Sequence, residues 1–256
     1  MELIDLLNFI FAPIEQFLRE AFPSISQIGI WTLPLLLFTW LAGWIAGKLH
    51  AEVNLAVAYS RKVFHFLIFT MAGVLHIFGH LSLVALYGVI VSCYVVYGVV
   101  RGEGYPFYEA VARPEDRPHR TLFILVPLFT TALGGVTSNI LFPHFAHVGY
   151  LVSGWGDAIA EPVGRKWGSH SYNVPSLAGV PAIRTIEGSI SVFIVGTIAA
   201  FLALWVIDIP WILALQAAAL CGVIATGIES VSTHGIDNFT VQVAVAAVAQ
   251  YVLLGI

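Results

Sequence analysis

Charged side chains are scarce in this sequence of 256 residues. Asp, Glu, Lys and Arg make up 10% of the chain, whereas they make up roughly a quarter of a soluble globular domain. Hydrophobic residues account for 59% of the chain, and its mean hydropathy is +0.89. This composition excludes an ordinary soluble domain and predicts an integral membrane protein.

Cysteine and a basic N-terminus are also lacking. The two cysteines, Cys93 and Cys221, lie in apolar segments and form no metal-binding spacing, so we expect buried thiols. The first residues carry Glu2 and Asp5 but no Lys or Arg, which argues against a cleaved signal peptide. A net charge of −4 argues against nucleic acid as a partner.

Three familiar catalytic signatures are missing. The sequence contains no GxxxxGK[ST] phosphate loop, no GxSxG nucleophile turn and no HExxH zinc motif. The pair 144-HFAH-147 has zinc-like spacing, but no third ligand is evident near it. If this chain uses a nucleotide, it does not do so as a standard soluble enzyme.

Long apolar segments are abundant. A membrane-spanning helix needs about 20 predominantly apolar residues, and eight segments of roughly that length centre on 30–47, 63–79, 81–100, 121–141, 147–164, 187–207, 211–227 and 239–255. The fifth is the least hydrophobic. The sequence therefore predicts an all-α polytopic membrane helix bundle of about eight transmembrane helices.

The N-terminal stretch has a different pattern. Residues 2–22 place Leu and Phe at helical spacing, with Glu15, Arg19 and Glu20 on the other side and Pro13 in the middle. This pattern predicts an amphipathic segment at the membrane interface, over residues 1–27. Since no internal repeat or linker follows, residues 28–256 are predicted to form one membrane-embedded domain.

Basic residues predict the orientation of the bundle. Lys and Arg in short loops favour the cytoplasmic side of a membrane, and ten of the eleven fall on one side of the eight predicted spans, with Arg19 the exception. The longest loops on that side, 101–120 and 165–185, are broken by Pro and Gly and are expected to be loops or short helices.

Ionisable residues gather on that same side. Four segments carry them: 60-SRKVFH-65, 154-GWGDAIAEPVGRKWG-168, 184-RTIEGS-189 and 229-ESVSTHGIDNFTV-241. They hold Asp157, Glu161, Glu187, Glu229 and Asp237 together with Arg61, Lys62, Arg165, Lys166 and Arg184. Ionisable groups at membrane depth are costly unless paired or hydrated, so they mark function by default.

The residue types in these segments suit a nucleotide. Gly156 and Gly164 permit a close approach of backbone to phosphate, and a carboxylate such as Asp157 is a hard ligand for Mg²⁺. Acidic and basic groups around a glycine-rich turn are what metal-triphosphate binding requires. Structural alternatives stay open: Asp157 as a paired charge, and Glu187, Asp237 and Asn238 as helix-end residues. His65 fits either an interior hydrogen bond or a catalytic role.

Four motifs resemble the membrane-embedded polyprenol kinase family, which includes phytol and dolichol kinases and is distantly similar to phosphatidate cytidylyltransferases. They are 61-RKVFH-65 (R-K-x-x-H), 156-GDAIAEPVGRKWG-168 (G-D-x-x-A-x-x-x-G-R-x-x-G), 184-RTIEGS-189 (K-[ST]-x-E-G-[ST]) and 237-DNFTV-241 (D-N-[LF]-[TS]-[VI]). The resemblance implies transfer of the γ-phosphate of CTP, or another nucleoside triphosphate, to a long-chain lipid alcohol such as phytol, geranylgeraniol or dolichol, with Mg²⁺ as cofactor.

The resemblance also implies residue roles. Asp157, Asp237 and Glu187 would surround the metal-nucleotide, and Arg61, Lys62 and Arg165 would contact phosphate. The residue types in the four segments add further assignments. Glu229 is predicted as a metal ligand, and His65 is a catalytic candidate together with Asp157 and Glu187. The predicted nucleotide-binding residues also include Gly156, Gly164, Lys166, Arg184 and Asn238. Arg113, in the long loop, is expected to be dispensable.

Two departures and two rival functions accompany this resemblance. Arg184 stands where the family usually has Lys, and Gln242 replaces the Pro that commonly follows the last motif.

A cytidylyltransferase would make a CDP-lipid with similar parts, and 234-HGIDN-238 weakly resembles that family's pattern. A membrane transporter is the non-enzyme alternative, disfavoured because the charges gather at one face. Nothing in the sequence predicts an oligomeric state.

Overall fold

Helices dominate the structure, a computed structural model that describes residues 3–233 and 235–255, with side chains from Phe11 onward. Within those residues the helices are α1 (Leu3–Ala21), α2 (Ile25–Ala51), α3 (Val57–Phe78), α4 (Leu81–Arg101), α5 (Pro106–Val111), α6 (Leu122–Leu141), α7 (Ala146–Trp167), α8 (Ile186–Trp205), α9 (Trp211–Val231) and α10 (Asp237–Leu254). A 3₁₀ turn spans Pro114–Asp116, and two strands, β1 (Ser171–Leu177) and β2 (Val180–Thr185), form a hairpin. Met1, Glu2 and His234, which belong to the predicted N-terminal segment and to the faint HGIDN match, lie outside the described residues.

The predicted membrane helix bundle is confirmed. In the described chain, seven helices are long and apolar enough to cross a membrane: α2, α3, α4, α6, α8, α9 and α10. The predicted fifth span is also a continuous helix, α7, but its Asp, Glu, Arg and Lys side chains keep it out of that apolar set. It packs against α3, α8 and α10. Asp157 and Glu161 are therefore largely covered by protein, whereas Arg165 and Lys166 are exposed at the end of the helix.

Small residues bring the helices around α7 close together. A side chain at Gly149 would collide with the backbone of Gln242 on α10, and one at Gly154 would collide with Phe69 on α3. The contact between α8 and α9 is rich in buried alanines. Membrane helices associate through such close packing, because lipid offers no hydrophobic drive toward helix contact. Cys221 on α9 is buried as expected, with Sγ 3.7 Å from the Val245 carbonyl oxygen of α10, whereas Cys93 is exposed.

Residues 165–185 contain a hairpin where a loop or short helix was predicted. Strands β1 and β2 pair antiparallel, and Leu177 and Val180 flank a two-residue turn. Both turn residues, Ala178 and Gly179, have positive φ angles of 50° and 73°, as the tight turns of hairpins require. Residues 101–120, by contrast, contain the predicted short helix, α5.

The order of the spans places four connections at one end of the bundle: α2–α3, α4–α6, α7–α8 with the hairpin, and α9–α10. Helix α1 packs on α4 and α6 and leaves Phe11 and Leu18 exposed. Its place at a membrane interface stays a prediction, as does a domain boundary at residue 28, since α2 already begins at Ile25.

Candidate active site

A polar cavity of about 550 Å³ opens at the end of the bundle where these four connections meet. It is bounded by α3, α6, α7, α8, α9, α10, β2 and the 3₁₀ turn. Among the described residues, five cationic side chains line it: Arg61, Lys62, Arg113, Arg165 and Arg184. Six carboxylates share the wall with them: Glu115, Asp116, Asp157, Glu161, Glu229 and Asp237. The four sequence motifs thus converge on one cavity.

Asp157 lies on the inner face of α7, opposite the first motif. Lys62 Nζ is 2.7 Å from Asp157 Oδ2, and His65 Nε2 is 3.4 Å from the same oxygen. The Lys62 side chain is only 6% exposed, so its ammonium group requires this carboxylate as a counter-ion. His65 Nε2 is buried and makes no hydrogen bond. The pairing alternative for Asp157 therefore holds in this structure, and the pair also forms part of the cavity wall.

Glu161 lies one helical turn beyond Asp157 and is surrounded by cations. Its carboxylate oxygens are 3.7 Å from Arg61 Nε, 3.9 Å from Lys62 Nζ, 3.5 Å from Arg113 Nη1 and 3.3 Å from Arg165 Nη2. A single carboxylate thus holds four basic groups around one end of the cavity. The sequence placed Glu161 in the polar group but gave it no role, because it lies between the fixed positions of the family motif.

Arg184 connects the opposite wall. Its Nη2 donates to Asp237 Oδ2 at 2.9 Å and to the Ser232 carbonyl oxygen at 3.2 Å, and its Nη1 forms an ion pair with Glu229. Two carboxylates from separate helices therefore share one guanidinium. A planar fork can reach both, whereas an ammonium is a single point charge. This geometry explains why Arg, and not the family's usual Lys, suits position 184 here.

Helix α10 is tied to α6 beside the cavity. Asn238 Nδ2 donates to Thr131 Oγ1 at 2.9 Å, so the side-chain amide of this predicted nucleotide ligand is engaged with α6. Gln242 is fully buried, and its Nε2 donates to the Asn238 carbonyl oxygen. Gln242 therefore fills the position of the family's Pro without interrupting the helix.

The loop after α5 contributes a wall that the sequence reading missed. Arg113 donates to both oxygens of Asp116 at 2.8 and 2.9 Å, and Glu115 accepts from Arg165 at 2.9 Å. Burial alone would lower the pKa of Arg113, but the carboxylates of Glu161 and Asp116 raise it above its ordinary value. Arg113 thus lines the cavity, and its expected dispensability stays a prediction. The charged run 113-RPEDR-117, on the same predicted face as the motifs, was the available signal.

Three predicted residues lie outside the cavity wall. Glu187 accepts hydrogen bonds from Ser169 at 2.7 Å and contacts His170 Nδ1 at 2.8 Å, which fixes the base of the hairpin. The Lys166 ammonium lies 4.6 Å from the centre of the Trp167 ring. Gly156 faces Val192 on α8. Their assigned functional roles stay predictions.

The donor set fits Mg²⁺ of the kind that accompanies a nucleotide. Within the described chain, no group of three His, Cys, Asp or Glu residues is close enough to hold a metal by itself. Mg²⁺ in phosphoryl-transfer sites, however, is usually held by one or two carboxylates together with substrate phosphates and water. Asp157 and Asp237 line the same cavity and supply such oxygen ligands.

Comparison with known proteins gives one curated relative. The chain is 31% identical over 153 residues to a phytol kinase of Synechocystis, and the match covers 59% of this chain and 61% of that protein. No family model and no solved structure gives a significant match. The match to the phytol kinase confirms the resemblance of this chain to the phytol and polyprenol kinase-like family.

Proposed function

We propose that this protein is a membrane-embedded lipid-alcohol kinase, which transfers the γ-phosphate of a nucleoside triphosphate, CTP in the first instance, to an isoprenoid alcohol. The observation that carries the proposal is the convergence of all four kinase-like motifs on one charged cavity at the end of a membrane bundle. The similarity to a phytol kinase supports the same reaction class.

The charges of the cavity suit a metal-bound triphosphate. Five cations in the described wall are balanced by six carboxylates, and nearly every cation is paired with one of them. A bare triphosphate would therefore add anionic charge to a site with no surplus of positive charge. Asp157 and Asp237 would hold Mg²⁺, which would supply the missing positive charge. Arg61, Lys62 and Arg165 then exchange Glu161 and Asp157 for phosphate oxygens.

The transfer itself demands positioning more than covalent chemistry. The hydroxyl oxygen of the alcohol attacks the γ-phosphorus, the bond from that phosphorus to the β–γ bridging oxygen breaks, and a nucleoside diphosphate leaves. The hydroxyl proton passes to His65, a residue of the cavity wall whose buried Nε2 makes no hydrogen bond. Arg184 holds Asp237 and Glu229 in place while charge builds on the leaving group.

We place the cavity at the cytoplasmic face, where nucleotides are available. The support is the concentration of Lys and Arg in the four connections that surround it.

The position of a labelled phosphate in CTP distinguishes the possible reactions. Purified protein in detergent micelles is incubated with Mg²⁺, a panel of phytol, geranylgeraniol and dolichol, and CTP labelled at either the γ- or the α-phosphate. We expect γ-label in an organic-soluble monophosphate and α-label in aqueous CDP. With phosphatidate or a polyprenyl phosphate as acceptor instead, α-label in the lipid would identify a cytidylyltransferase, and intact CTP in every reaction would exclude both enzymes.

A further inference from the structure

A second, largely apolar groove lies directly beside the polar cavity. It has a volume of about 530 Å³ and runs between α8 and α9, with Tyr172 of β1 at one end. Its α8 side is built from Ile186, Ile190 and Phe193, and its α9 side from Val223, Gly227 and Ser230. On each helix these positions fall on one face, because residues three, four and seven apart share a face. Both helices are candidate membrane spans, so the groove opens toward lipid.

The groove exists because the α8–α9 seam opens toward the motif end. At Gly222 the helices are in close contact, since a Cβ atom there would lie 3.0 Å from the Phe193 carbonyl oxygen. One and a half turns further along α9, a Cβ atom at Gly227 would meet nothing within 4 Å. Small residues at a helix contact usually serve close packing. Gly227 does not, and leaves space between the helices instead.

Ser189 lies in the wall of both the groove and the polar cavity. Its hydroxyl makes a hydrogen bond of 2.7 Å with the Tyr172 hydroxyl, so two hydroxyl groups mark the junction. Away from the junction the walls become hydrocarbon, with Ile190 and Val223 each more than half exposed. A molecule with an aliphatic chain and a terminal hydroxyl matches this sequence of environments, because only its polar end requires the cavity.

We infer that the hydrocarbon chain of the acceptor alcohol lies in the groove between α8 and α9, and that its hydroxyl enters the polar cavity past Ser189. This inference rests on the proposed kinase function and names its acceptor subsite. From Ile186 to Phe193 the α8 wall is about 10 Å long at 1.5 Å per residue. The groove therefore contacts the part of the chain nearest the hydroxyl, while the remainder of a long tail lies in the bilayer.

The kinetic test fills the groove and compares it with an equally open site elsewhere. Gly227→Leu places a side chain in the groove, and the matched control, Gly88→Leu on α4, also faces open space. We expect Gly227→Leu to raise KM for the lipid alcohol at least tenfold with KM for CTP unchanged, and Gly88→Leu to alter neither. Equal lipid KM values for the two variants would overturn the inference. Val223→Trp with Val89→Trp as control repeats the comparison if Gly227→Leu does not fold.

A binding test separates the groove from the reaction. A photoreactive diazirine analogue of the alcohol is cross-linked to the unmodified protein without nucleotide, and labelled peptides are identified. We expect label within 223–230, removed by excess unlabelled alcohol but not by phosphatidylcholine. Equal competition by the phospholipid would contradict the assignment of the groove as the acceptor site. The assignment would also be contradicted if residues 223–230 were not labelled because a second copy of the chain covers them in a cross-linked dimer. Failure of the kinase assay with this labelling intact would refute the reaction alone.

Discussion

Polar side chains are buried at both ends of this bundle, but the two groups differ in charge. The motif end collects Asp, Glu, Lys and Arg around a cavity. The opposite end holds a neutral cluster of His76, Asn139, His147 and Tyr150. Asn139 Oδ1 lies 3.0 Å from His76 Nε2, and Asn139 Nδ2 donates to the Tyr150 hydroxyl at 2.6 Å. None of these four side chains lines the polar cavity.

The difference separates packing from function. Hydrogen bonds between neutral groups on membrane helices contribute modestly to helix association. Ionised groups cost several kcal/mol at membrane depth unless they are paired, and at the motif end each pair also borders open space. A stable bundle has no need to keep Lys62 and Asp157 beside such a space. We therefore assign the function to the charged end, whereas the neutral end fastens α3, α6 and α7 together.

The largest expected effect is loss of turnover on Asp157→Asn. The amide keeps the shape of the side chain but removes the anion that holds Lys62 and, in our proposal, Mg²⁺. We expect kcat to fall by at least about a hundredfold, measured as γ-label transferred to lipid.

The matched control for that variant is Asp208→Asn at the opposite end. Asp208 is exposed and has a positive φ of 64°, a conformation that Asn tolerates well, so activity and extraction should be unchanged. Similar activity in Asp157→Asn and Asp208→Asn would remove the functional distinction between the two ends.

Arg184→Ala is expected to affect stability most. It leaves the buried carboxylates of Glu229 and Asp237 without their shared cation, and removal of one partner of a buried ion pair costs about 3–5 kcal/mol. Arg184→Lys should lose less stability but still lower kcat/KM, because an ammonium cannot hold both carboxylates in the same geometry. Thermal unfolding in detergent and initial rates measure the two effects; a Lys variant with wild-type values in both would refute the bridging role of the guanidinium.

Much of this comparison was predictable from the sequence. Hydropathy dictates where helices cross, and the positions of Lys and Arg dictate which connections share a face, so the convergence of Arg61, Asp157 and Asp237 followed from local patterns. The tertiary position of a loop has no comparable local signal. Arg113 enters the cavity only because the chain after α5 folds back toward α7, where Glu161 attracts it.

The hairpin was not predicted, because its sequence also lacks a clear local signal. Its strands are short, and Pro175 and Pro181 interrupt the alternation that identifies a strand. In the folded chain the Glu187 carboxylate accepts from Ser169 at the hairpin base and lies outside the cavity wall, so its catalytic role stays a prediction. A motif match conveys that Glu187 matters, and only the fold distinguishes a ligand from a residue that positions a neighbouring segment.

A smaller effect is expected at the neutral end. Asn139→Leu removes the hydrogen bonds to His76 and Tyr150 and leaves their polar atoms unsatisfied, at a cost of about 1–3 kcal/mol. The turnover of the folded fraction should match the wild type, because the cluster lies at the far end of α7. A drop in kcat with an unchanged unfolding temperature would show that the two ends are coupled.

The smallest effect on activity is expected from a test of sidedness. In a background of Cys93→Ser and Cys221→Ala, single cysteines replace Arg117 and Ala178 at the motif end, or His144 and Asp208 at the other; none of the four native side chains lines the polar cavity. All four variants should retain turnover. A membrane-impermeant maleimide should label the first two only from the cytoplasmic side and the last two only from the opposite side, because an even number of spans separates positions within each pair and an odd number separates the pairs. Labelling of Arg117→Cys and Ala178→Cys from opposite faces would place the loop after α5 and the hairpin on different sides of the membrane, and the single charged cavity could not then form.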